Sequence, residues 1–588
     1  MTIRLLTDYP FGRYTIPAGS IVSVFDSVTE AALIASRQAA ASAAAVTWTV
    51  PVEVPDRSSP AVTGGAIASA LQRASSDDLR TIRSAVAGDW NPAVEPATAG
   101  LWSAAALAAG AVATWASLVA DGTTMAQATA ASQPVAGVAG VALDGSDDHL
   151  IRSYPGARLV RAVTLPDGAS KAEPGQGWTC TGMGADPDDG TYWICNHGRR
   201  TELLDTAQQA PSVVQISIAS DGAITILREI LLEPLGWTGS STQGVGVTPT
   251  TLWVNHTLNG TYIEINKSTG ALTGRVITPS WAGSGCSYDA ARDALWCGQN
   301  FGTGSGLELR LCSDGSLVAG SQITTGLNEQ DSLSYYGPTR TLLISFGPTG
   351  SPGNVRAYDC TTTTPVSLGS IVLTEEAGAV EGICWDGGTQ LLVMSDGYYH
   401  QGLAGGNRCL TYQIAPLVSD VVDIYGVWSL DAATSTDAVL AVGDPVQSAK
   451  IGFALMTTGR TNLSVWGQTG ESAATSRVSY SATVPSMARP RIVYARLDRT
   501  AQLISLWIDG TLIGTQAATT WTRPFANAGT AYIGRAADAG RNLDGTIQRL
   551  GYSMGALDHQ RIEGWLAHEC GLQAQLPLTH PWRGRRPD

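Results

Sequence analysis

The chain has 588 residues, including 66 glycines, and only 15% of them are charged, against roughly 25% in typical soluble domains. This length exceeds a single hydrophobic core and predicts about three or four domains. The formal net charge is −14, and basic residues cluster only at the extreme C-terminus, which argues against nucleic acid as a partner. The most apolar stretch, near 104–120, is broken by glycine and polar residues, so we expect no membrane insertion.

The N-terminal sequence MTIRLLTDYPFGRY has no apolar segment after a basic start. We therefore expect no signal peptide and synthesis in the cytoplasm. The nine cysteines form no CxxC pair, which argues against a zinc site and, because their number is odd, against a complete disulfide framework. Eight of them lie between Cys180 and Cys409, mostly in strand-like runs, and we expect small buried apolar residues in a reducing compartment.

Residues 1–55 alternate apolar and polar side chains around turn signals, and they contain one helical run, TEAALIASRQAA. This pattern predicts a small β-rich module. Residues 56–96 are predicted to be a linker with one or two short helices within 66–87. Ser75 is placed to cap one of these helices, and Asp78 to complete a capping box.

After Trp90 the sequence indicates strands and turns, with an internal repeat of about forty to sixty residues. Each repeat begins with a strand whose second and fourth positions are mostly small: TGMGA, QGVGV, SGCSY, DSLSY and EGICW, starting at 181, 243, 284, 331 and 381. A second and a third strand follow in every copy. Five such units predict a five-bladed β-propeller over residues 154–415.

The small residues fit the innermost strand of a blade, because large side chains on both faces would clash beside a narrow central channel. The strand RLVRAVTL, at 158–165, precedes the first repeat, whereas the fifth unit lacks an outer strand. We expect these two parts to complete one blade and close the ring. The entry and exit of the propeller would then lie side by side, so that it could be inserted into a loop of another domain.

The flanks carry a resemblance. The C-terminal part contains LISLWIDGTLIGTQ, TAYIGRA and LDGTIQRLGYS, and LDGSDDHL stands before the propeller at 143–150. These motifs resemble the concanavalin A-like jelly roll of the laminin G and pentraxin type. The resemblance implies a split jelly roll, 97–153 plus 416–588, with the propeller inserted between its early strands. Two separate domains in sequence are the alternative, but they would leave the C-terminal sandwich without its first strands.

The segment from Arg561 to Trp582, RIEGWLAHECGLQAQLPLTHPW, is similar to the short helix and tail that close such domains in many bacteriophage virion proteins. A lysine-tryptophan pair of that pattern is replaced here by Glu569 and Cys570. Residues 1–55 also resemble the small β-domains that begin phage structural proteins, which implies a module that anchors the chain to a particle. The fold class that follows is mainly β: a five-bladed propeller inserted into a concanavalin A-like sandwich, with a small N-terminal β module and short helices.

Candidate binding residues come from aligning the repeats. In an antiparallel blade the start of the inner strand and the end of the second strand lie at the same mouth of the channel. The first set of positions is Thr181, Gln243, Ser284, Asp331 and Glu381, and the second is Asn196, His256, Gln299, Phe346 and Asp396. Carboxylates, amides and a histidine at one mouth could hydrogen-bond a sugar. They could equally line the channel and bind water or neighbouring backbone.

Asp331, Glu381 and Asp396 could also hold calcium, which prefers oxygen ligands. The pattern around Glu381 and Asp396 resembles six-bladed lactonase-type propellers, whose acidic residues coordinate a metal. Other blades supply Thr, Ser and Phe at the equivalent positions, so no complete catalytic set is predicted. A second calcium candidate is Asp144, Asp147 and Asp148 at the sandwich rim, where the same residues could instead serve turn geometry. No other cofactor is expected.

Tryptophans recur within the repeats, and we expect them in the core between blades: Trp178, Trp193, Trp253, Trp296 and Trp385. Exposed aromatics that could stack on sugar rings are sought among Tyr398, Tyr399 and Trp521.

The resemblance implies a virion structural or adsorption protein, such as a tail fibre, tail tip or head fibre, assembled in the bacterial cytoplasm and displayed on the particle surface. Its N-terminal module would contact other virion proteins, and its β-domains would bind a host glycan or receptor in several copies. One alternative is a metal-dependent hydrolase or polysaccharide depolymerase using Glu381, Asp331 and Asp396 at the channel mouth. Another is a purely structural decoration protein.

Overall fold

The computed structural model describes most of residues 92–587 and, before them, the backbone of seven short strands. Outside the described residues lie most of 1–91 and, beyond them, 96, 120–123, 145, 153–156, 167–179, 198–210, 220, 238–241, 282, 300–305, 328–329, 347–352, 374–379, 397–406, 415, 432–435, 444–450, 470–475, 528–529, 537–540 and 588. Among the described residues no helix is both long and apolar enough to cross a bilayer.

Short strands occupy the N-terminal region. Three of them, Thr2–Leu5, Ile21–Ser23 and Ala39–Ser42, form one sheet, and two hairpins pair Tyr9–Phe11 with Tyr14–Ile16 and Thr49–Pro51 with Ala61–Thr63. The predicted helical run at 29–40 lies outside the described residues as far as 38, and its last two residues belong to a strand. The helices predicted within 66–87 lie outside them entirely.

Five four-stranded antiparallel sheets form a five-bladed β-propeller, as the repeats predicted. From the inner to the outer strand, the blades are as follows: blade 1, Cys180–Ala185, Tyr192–Asn196, Ser212–Ile218 and Ile224–Leu231; blade 2, Val245–Val247, Thr251–His256, Thr261–Asn266 and Leu272–Ile277; blade 3, Gly283–Asp289, Ala294–Gln299, Gly306–Leu311 and Ile323–Thr324; blade 4, Gln330–Tyr336, Thr341–Phe346, Gly353–Asp359 and Val366–Leu373; blade 5, Val380–Trp385, Gln390–Asp396, Asn407–Ile414 and Ala157–Thr164.

Blade 5 closes the ring in the predicted way. Its outer strand, Ala157–Thr164, comes from before the first repeat and pairs antiparallel with Asn407–Ile414 from the last one. The first and last parts of the propeller sequence are thereby hydrogen-bonded to each other within one blade, and this pairing closes the ring.

Glycines allow the inner strands to touch. A Cβ atom built on Gly182 would lie 2.9 Å from the Gln243 carbonyl oxygen, and one on Gly244 would lie 2.5 Å from the Ser284 carbonyl oxygen. In the same way, a Cβ atom built on Gly285 of blade 3 would lie 2.2 Å from the Asp331 carbonyl oxygen of blade 4. These distances are shorter than real Cβ contacts, so the backbones of adjacent inner strands approach too closely for a side chain. This explains the small residues at the second position of the repeats.

The sandwich consists of two sheets. In order across the sheet, the strands of the first are: Thr511–Ala517, Leu503–Ile508, Arg491–Asp498, Val421–Leu430, Asp544–Met554, Gly140–Asp144, Val135–Gly137 and Gly110–Ala111, with Thr98–Ser103 also paired to Asp544–Met554. Those of the second are: Thr114–Ala116, Thr124–Ala126, Leu150–Arg152, Ala531–Ile533, Thr436–Gly443, Gly452–Thr458, Asn462–Gln468 and Arg477–Thr483. We call them the nine-stranded and the eight-stranded sheet.

Each sheet combines strands from both sides of the propeller. Gly140–Asp144 pairs with Asp544–Met554 in the nine-stranded sheet, and Leu150–Arg152 pairs with Ala531–Ile533 in the eight-stranded sheet. The propeller is therefore inserted in the sandwich sequence. One hydrophobic core lies between the two sheets and includes Trp102, Trp428, Phe453 and Tyr552.

The junction of the two domains is tightly bonded. Buried Arg152, just before the propeller, donates to the Tyr552 hydroxyl at 2.7 Å and to Asn527 Oδ1 at 3.0 Å. Asn527 Nδ2 in turn donates to the Pro416 carbonyl oxygen, just after the propeller. Arg523 also forms an ion pair with Asp359 of blade 4 at 3.2 Å. A two-stranded antiparallel sheet of Val418–Ser419 and Phe525–Ala526 completes the junction.

The described α-helix, His559–Glu569, covers the outer face of the nine-stranded sheet. Its N-cap residue, Asp558, accepts hydrogen bonds from the backbone N–H groups of Gln560 and Arg561. Trp565 and Leu566 pack on this sheet. Short 3-10 helices are found at Pro92–Val94, Ala104–Ala106, Ala130–Ser132, Glu233–Leu235 and Gln573–Gln575.

Buried residues follow the predicted pattern in the propeller. Four of the recurring tryptophans are at most 3% exposed, namely Trp193, Trp253, Trp296 and Trp385, and Trp178 lies outside the described residues. All eight propeller cysteines are buried thiols. Burial raises the pKa of the Cys195 thiol to about 12, which makes it an unreactive apolar group.

Candidate functional site

In three of the blades, the predicted positions of the first and second sets lie at the same end of the strand pair. Strand pairing places Cys180 beside Asn196, Gly283 beside Gln299 and Gln330 beside Phe346. The start of each of these inner strands therefore lies next to the end of the second strand. The connecting segments that follow the second strands, 198–210, 300–305, 347–352 and 397–406, are outside the described residues.

Several mouth residues make structural hydrogen bonds to neighbouring elements. Thr181 Oγ1 donates to the Thr242 carbonyl oxygen at 2.6 Å, and Ser284 Oγ to the Gln330 carbonyl oxygen at 3.5 Å. Asn196 Nδ2 donates to Ser212 Oγ within blade 1 at 3.1 Å. These contacts join strands and blades, as expected of channel-lining groups.

His256 belongs to the packing between blades 1 and 2. Its ring lies 5.1 Å from the Trp237 ring, measured between centroids. Nδ1 accepts the backbone N–H of Asn259 at 3.4 Å, and Nε2 lies 3.3 Å from the Gly236 carbonyl oxygen, to which it donates in this tautomer. Both ring nitrogens therefore have protein partners, which favours a structural role for this histidine.

The remaining mouth residues differ in burial. Glu381 is buried, and four other residues are half-buried, namely Gln243, Gln299, Asp331 and Phe346. Phe346 lies under the guanidinium of Arg356, 5.4 Å from its ring centroid. Asp396 ends its strand, but its side chain lies outside the described residues. A calcium ion held by Asp331, Glu381 and Asp396 therefore stays a prediction.

A carboxylate cluster lies at the sandwich rim. One ligand atom from each of Asp144, Asp147 and Asp148 lies within 4.8 Å of the others. Burial, followed by the charge of Asp144, raises the pKa of Asp148. The three groups offer only oxygen donors, which suit calcium better than zinc, and water would have to complete the coordination.

The same carboxylates also stabilise the turn. Asp148 Oδ2 accepts the backbone N–H of Asp144 at 3.1 Å, and Asp144 Oδ1 accepts that of Ser146 at 2.8 Å. Asp147 Oδ2 accepts the Ser132 hydroxyl at 2.7 Å. Turn geometry and clustering are thus both present, and calcium at this rim remains a prediction.

His149 connects the rim to the eight-stranded sheet. Its Nδ1 contacts the Asp147 carbonyl oxygen, and its Nε2 lies 2.9 Å from Arg535 Nη1 and 2.8 Å from Gln127 Nε2. Since both of those groups are donors, Nε2 is the acceptor and Nδ1 carries the proton. Burial lowers the pKa of His149, and the charge of Arg535 lowers it further. A neutral His149 therefore positions the Arg535 guanidinium.

The outer face of the eight-stranded sheet carries two half-buried aromatic residues, Trp466 and Tyr532. Strand pairing aligns Tyr532, Ala441, Ala454 and Trp466 in one row across four strands. At about 4.8 Å per strand, the two aromatic residues are about 14 Å apart. Ala441 and Ala454 are at most 1% exposed, and both aromatic rings pack against this small-residue floor.

An arginine lies over each ring of this pair. The Arg477 guanidinium carbon is 5.2 Å from the Trp466 ring centroid, and that of Arg535 is 5.3 Å from the Tyr532 ring centroid. Both distances are in the range of cation–π contacts. We call Trp466, Tyr532, Arg477 and Arg535 the aromatic–arginine face.

This face was not predicted from the sequence. Trp521, which was sought as an exposed aromatic, is only 2% exposed and belongs to the core between the sheets, so that prediction was wrong. Tyr398 and Tyr399 lie outside the described residues. The sequence did contain an indication of it. In NLSVWGQ, Leu463 and Val465 are two residues apart and face the core, so strand alternation places the Trp466 side chain on the opposite face.

No protein-family model matches the chain, and no curated protein matches it. Among solved structures, the glutaminyl cyclase of Myxococcus xanthus is 14% identical over 44% of this chain and 96% of its own, with a TM-score of 0.30. The CBM40 of Ruminococcus gnavus IT-sialidase, bound to α2,3 sialyllactose, is 14% identical over 25% of this chain and 82% of its own, with a TM-score of 0.22. Trypanosoma rangeli sialidase in complex with the inhibitor DANA is 9% identical over 76% of this chain and 90% of its own, with a TM-score of 0.26. Likenesses at this level assign no function to the chain.

Proposed function

We propose that the chain is an adsorption protein of a bacteriophage or phage-like particle, a tail fibre, tail tip or head fibre, whose sandwich binds a saccharide of the host surface. The observation that carries the binding role is the pair Trp466 and Tyr532 on the outer face of the eight-stranded sheet. Planar rings of this kind combine a large apolar surface with a polar edge, which suits contact with a sugar ring.

The position of the face supports this proposal. The outer face of the nine-stranded sheet is covered by the helix His559–Glu569, whose Trp565 is 2% exposed. The opposite, eight-stranded sheet instead presents aromatic and arginine side chains that remain half-buried. A ligand could therefore reach these side chains without displacing the C-terminal helix.

Three polar residues at the channel mouth have structural contacts. Thr181, Ser284 and His256 hold neighbouring blades together through hydrogen bonds. Hydrolysis at the mouth would therefore depend on the carboxylates Glu381, Asp331 and Asp396, the remaining candidates for the acid and base that glycoside cleavage needs.

The attachment to a particle rests on the resemblance of the C-terminal tail and the N-terminal module to virion proteins. Residues 1–55 would contact other virion proteins, and several copies would act together. Each saccharide contact would then be weak, and the number of copies on one particle would raise the overall affinity.

Binding is tested with the full-length chain on an array of bacterial surface polysaccharides. We expect at least one polysaccharide to bind, and Trp466→Ala to abolish that binding while leaving the melting temperature within a few degrees. The matched control is Leu272→Ala, which removes a 45% exposed apolar side chain on blade 2 and should bind as the unaltered chain does. Failure of every polysaccharide to bind, or full binding by Trp466→Ala, would contradict the binding role.

The particle assignment needs a separate experiment. Antibodies against residues 1–55 and against the sandwich can be compared on purified particles by electron microscopy. We expect the sandwich to be labelled at the outer end and residues 1–55 to be shielded. The reverse labelling, or no particle that contains the chain, would refute this part of the proposal.

A further inference from the structure

We propose that the aromatic–arginine face binds an acidic saccharide, one whose sugar rings carry carboxylate groups, and that Arg535 is the residue that selects it. This inference rests on the proposed function, and it names the class of ligand for the same face.

Local charge is the first observation. The chain as a whole has a formal net charge of −14, so its general field repels anions. Arg477 and Arg535 nevertheless lie over the two aromatic rings of this face. A neutral sugar needs only the rings and hydroxyl partners, whereas a guanidinium held over the Tyr532 ring complements a ligand with carboxylates.

The positioning of Arg535 is the second observation. Its Nη1 donates to His149 Nε2 at 2.9 Å, and its Nε donates to the Ala536 carbonyl oxygen at 3.3 Å. These bonds use two of the five N–H groups of a guanidinium. Three N–H groups remain for a ligand. A carboxylate that accepts from two parallel donors among them binds in the bidentate geometry, which is the strongest for an arginine–carboxylate pair.

The fixed orientation also lowers the cost of binding. An arginine side chain loses considerable rotamer freedom when it is immobilised by a ligand. Here His149 and the Tyr532 ring already restrict Arg535 before a ligand arrives. His149 is therefore a positioning residue, which acts on the ligand through Arg535.

The separation across the face indicates the length of the ligand. Tyr532 and Trp466 are three strand steps apart in one row, which corresponds to about 14 Å. One sugar ring cannot contact both aromatic rings, so the face is suited to an oligosaccharide segment with an acidic ring at the Tyr532 end. Exposed Ser479, which pairs with Trp466 on the edge strand, extends the row by a hydroxyl group.

The test uses the full-length chain with polygalacturonate, polyglucuronate and polysialate as probes. Each is compared with its carboxyl-reduced form, which keeps the sugar rings but removes the charge, and neutral dextran is included. We expect at least one acidic polymer to bind at least tenfold more tightly than its reduced form, with an affinity that falls as salt is raised. If no acidic polymer binds more tightly than its reduced form, the inference is wrong.

Variants separate selection from stacking. Arg535→Gln should remove the preference for the acidic polymer, Arg535→Lys should restore only part of it, and Trp466→Ala should abolish binding of both forms. Arg489→Gln, which alters an exposed arginine away from this face, should leave the preference unchanged. Trp466-dependent binding of neutral and acidic polymers with equal affinity would refute the acidic class while leaving the proposed function standing. An absence of saccharide binding on the array would refute the proposed function itself.

Discussion

Replacing Gly285 by alanine should destabilise the propeller substantially. A Cβ atom at this position would lie 2.2 Å from the Asp331 carbonyl oxygen and 3.0 Å from Ser332 Cα, both in the inner strand of blade 4. The obstacle is backbone, so no side chain can rotate away. Overpacking of a core costs about 1–3 kcal/mol, and we expect the upper end here. At about 2 °C per kcal/mol for a unit of this size, the melting temperature should fall by about 6 °C.

The assay is calorimetric unfolding of the full-length chain, with the buried tryptophans of the blades as a fluorescence probe of the propeller transition. Gly337→Ala is the matched control, because an added Cβ there meets nothing within 4 Å. It should be neutral or should stabilise by about 0.4–1 kcal/mol. Equal melting temperatures for Gly285→Ala and Gly337→Ala would refute the argument that backbone contact dictates the small residues of the inner strands.

Three further predictions concern the sandwich. Asn527→Ala removes the Oδ1 atom that accepts from Arg152 and from the Tyr552 hydroxyl; leaving a buried guanidinium short of a partner should cost about 2–3 kcal/mol, and unchanged calorimetric unfolding would count against it. Burial lowers the pKa of His149 in the folded chain. As the pH falls, this histidine is therefore protonated in the unfolded chain near pH 6.5, before it is protonated in the folded chain. Stability should therefore fall as the pH drops from about 6.5 through the lower folded pKa, and His149→Gln should flatten this dependence in thermal melts. If calcium binds Asp144, Asp147 and Asp148, a hundredfold excess over its dissociation constant should add about 2.7 kcal/mol. Asp148→Asn should abolish that gain, and a gain that persists would place the ion elsewhere.

Much of the fold could be predicted because the repeat imposes a physical requirement on particular residues. Gly182, Gly244 and Gly285 stand where backbones of adjacent blades touch, and that requirement is visible as a period in the sequence. Strand counting was sufficient to predict that residues 158–165 complete the last blade. The inserted arrangement followed from the resemblance at 143–150, and the strand pairing of this segment with Asp544–Met554 agrees with it.

The direction of individual polar side chains could not be predicted in the same way. Thr181 and Ser284 were placed at the channel mouth, but only tertiary geometry shows that their hydroxyls donate to neighbouring carbonyl groups. The aromatic–arginine face was missed because its two rings come from strands far apart in sequence. In addition, an irregularity between Ala438 and Leu440 puts Ala438 and Ala441 on the same side of the sheet, which simple alternation does not anticipate.

The split sandwich has a consequence for synthesis on the ribosome. Val141 pairs with Ile547, a residue made about 400 positions later, which takes about 20–80 s at typical elongation rates. During that time the propeller can complete its ring, since Ala157–Thr164 needs only residues up to Ile414. Until then the early sandwich strands lack their partner strands, and their apolar side chains stay exposed to solvent beside a folded propeller. Chains that end before residue 544 should therefore aggregate, even though their propeller is whole.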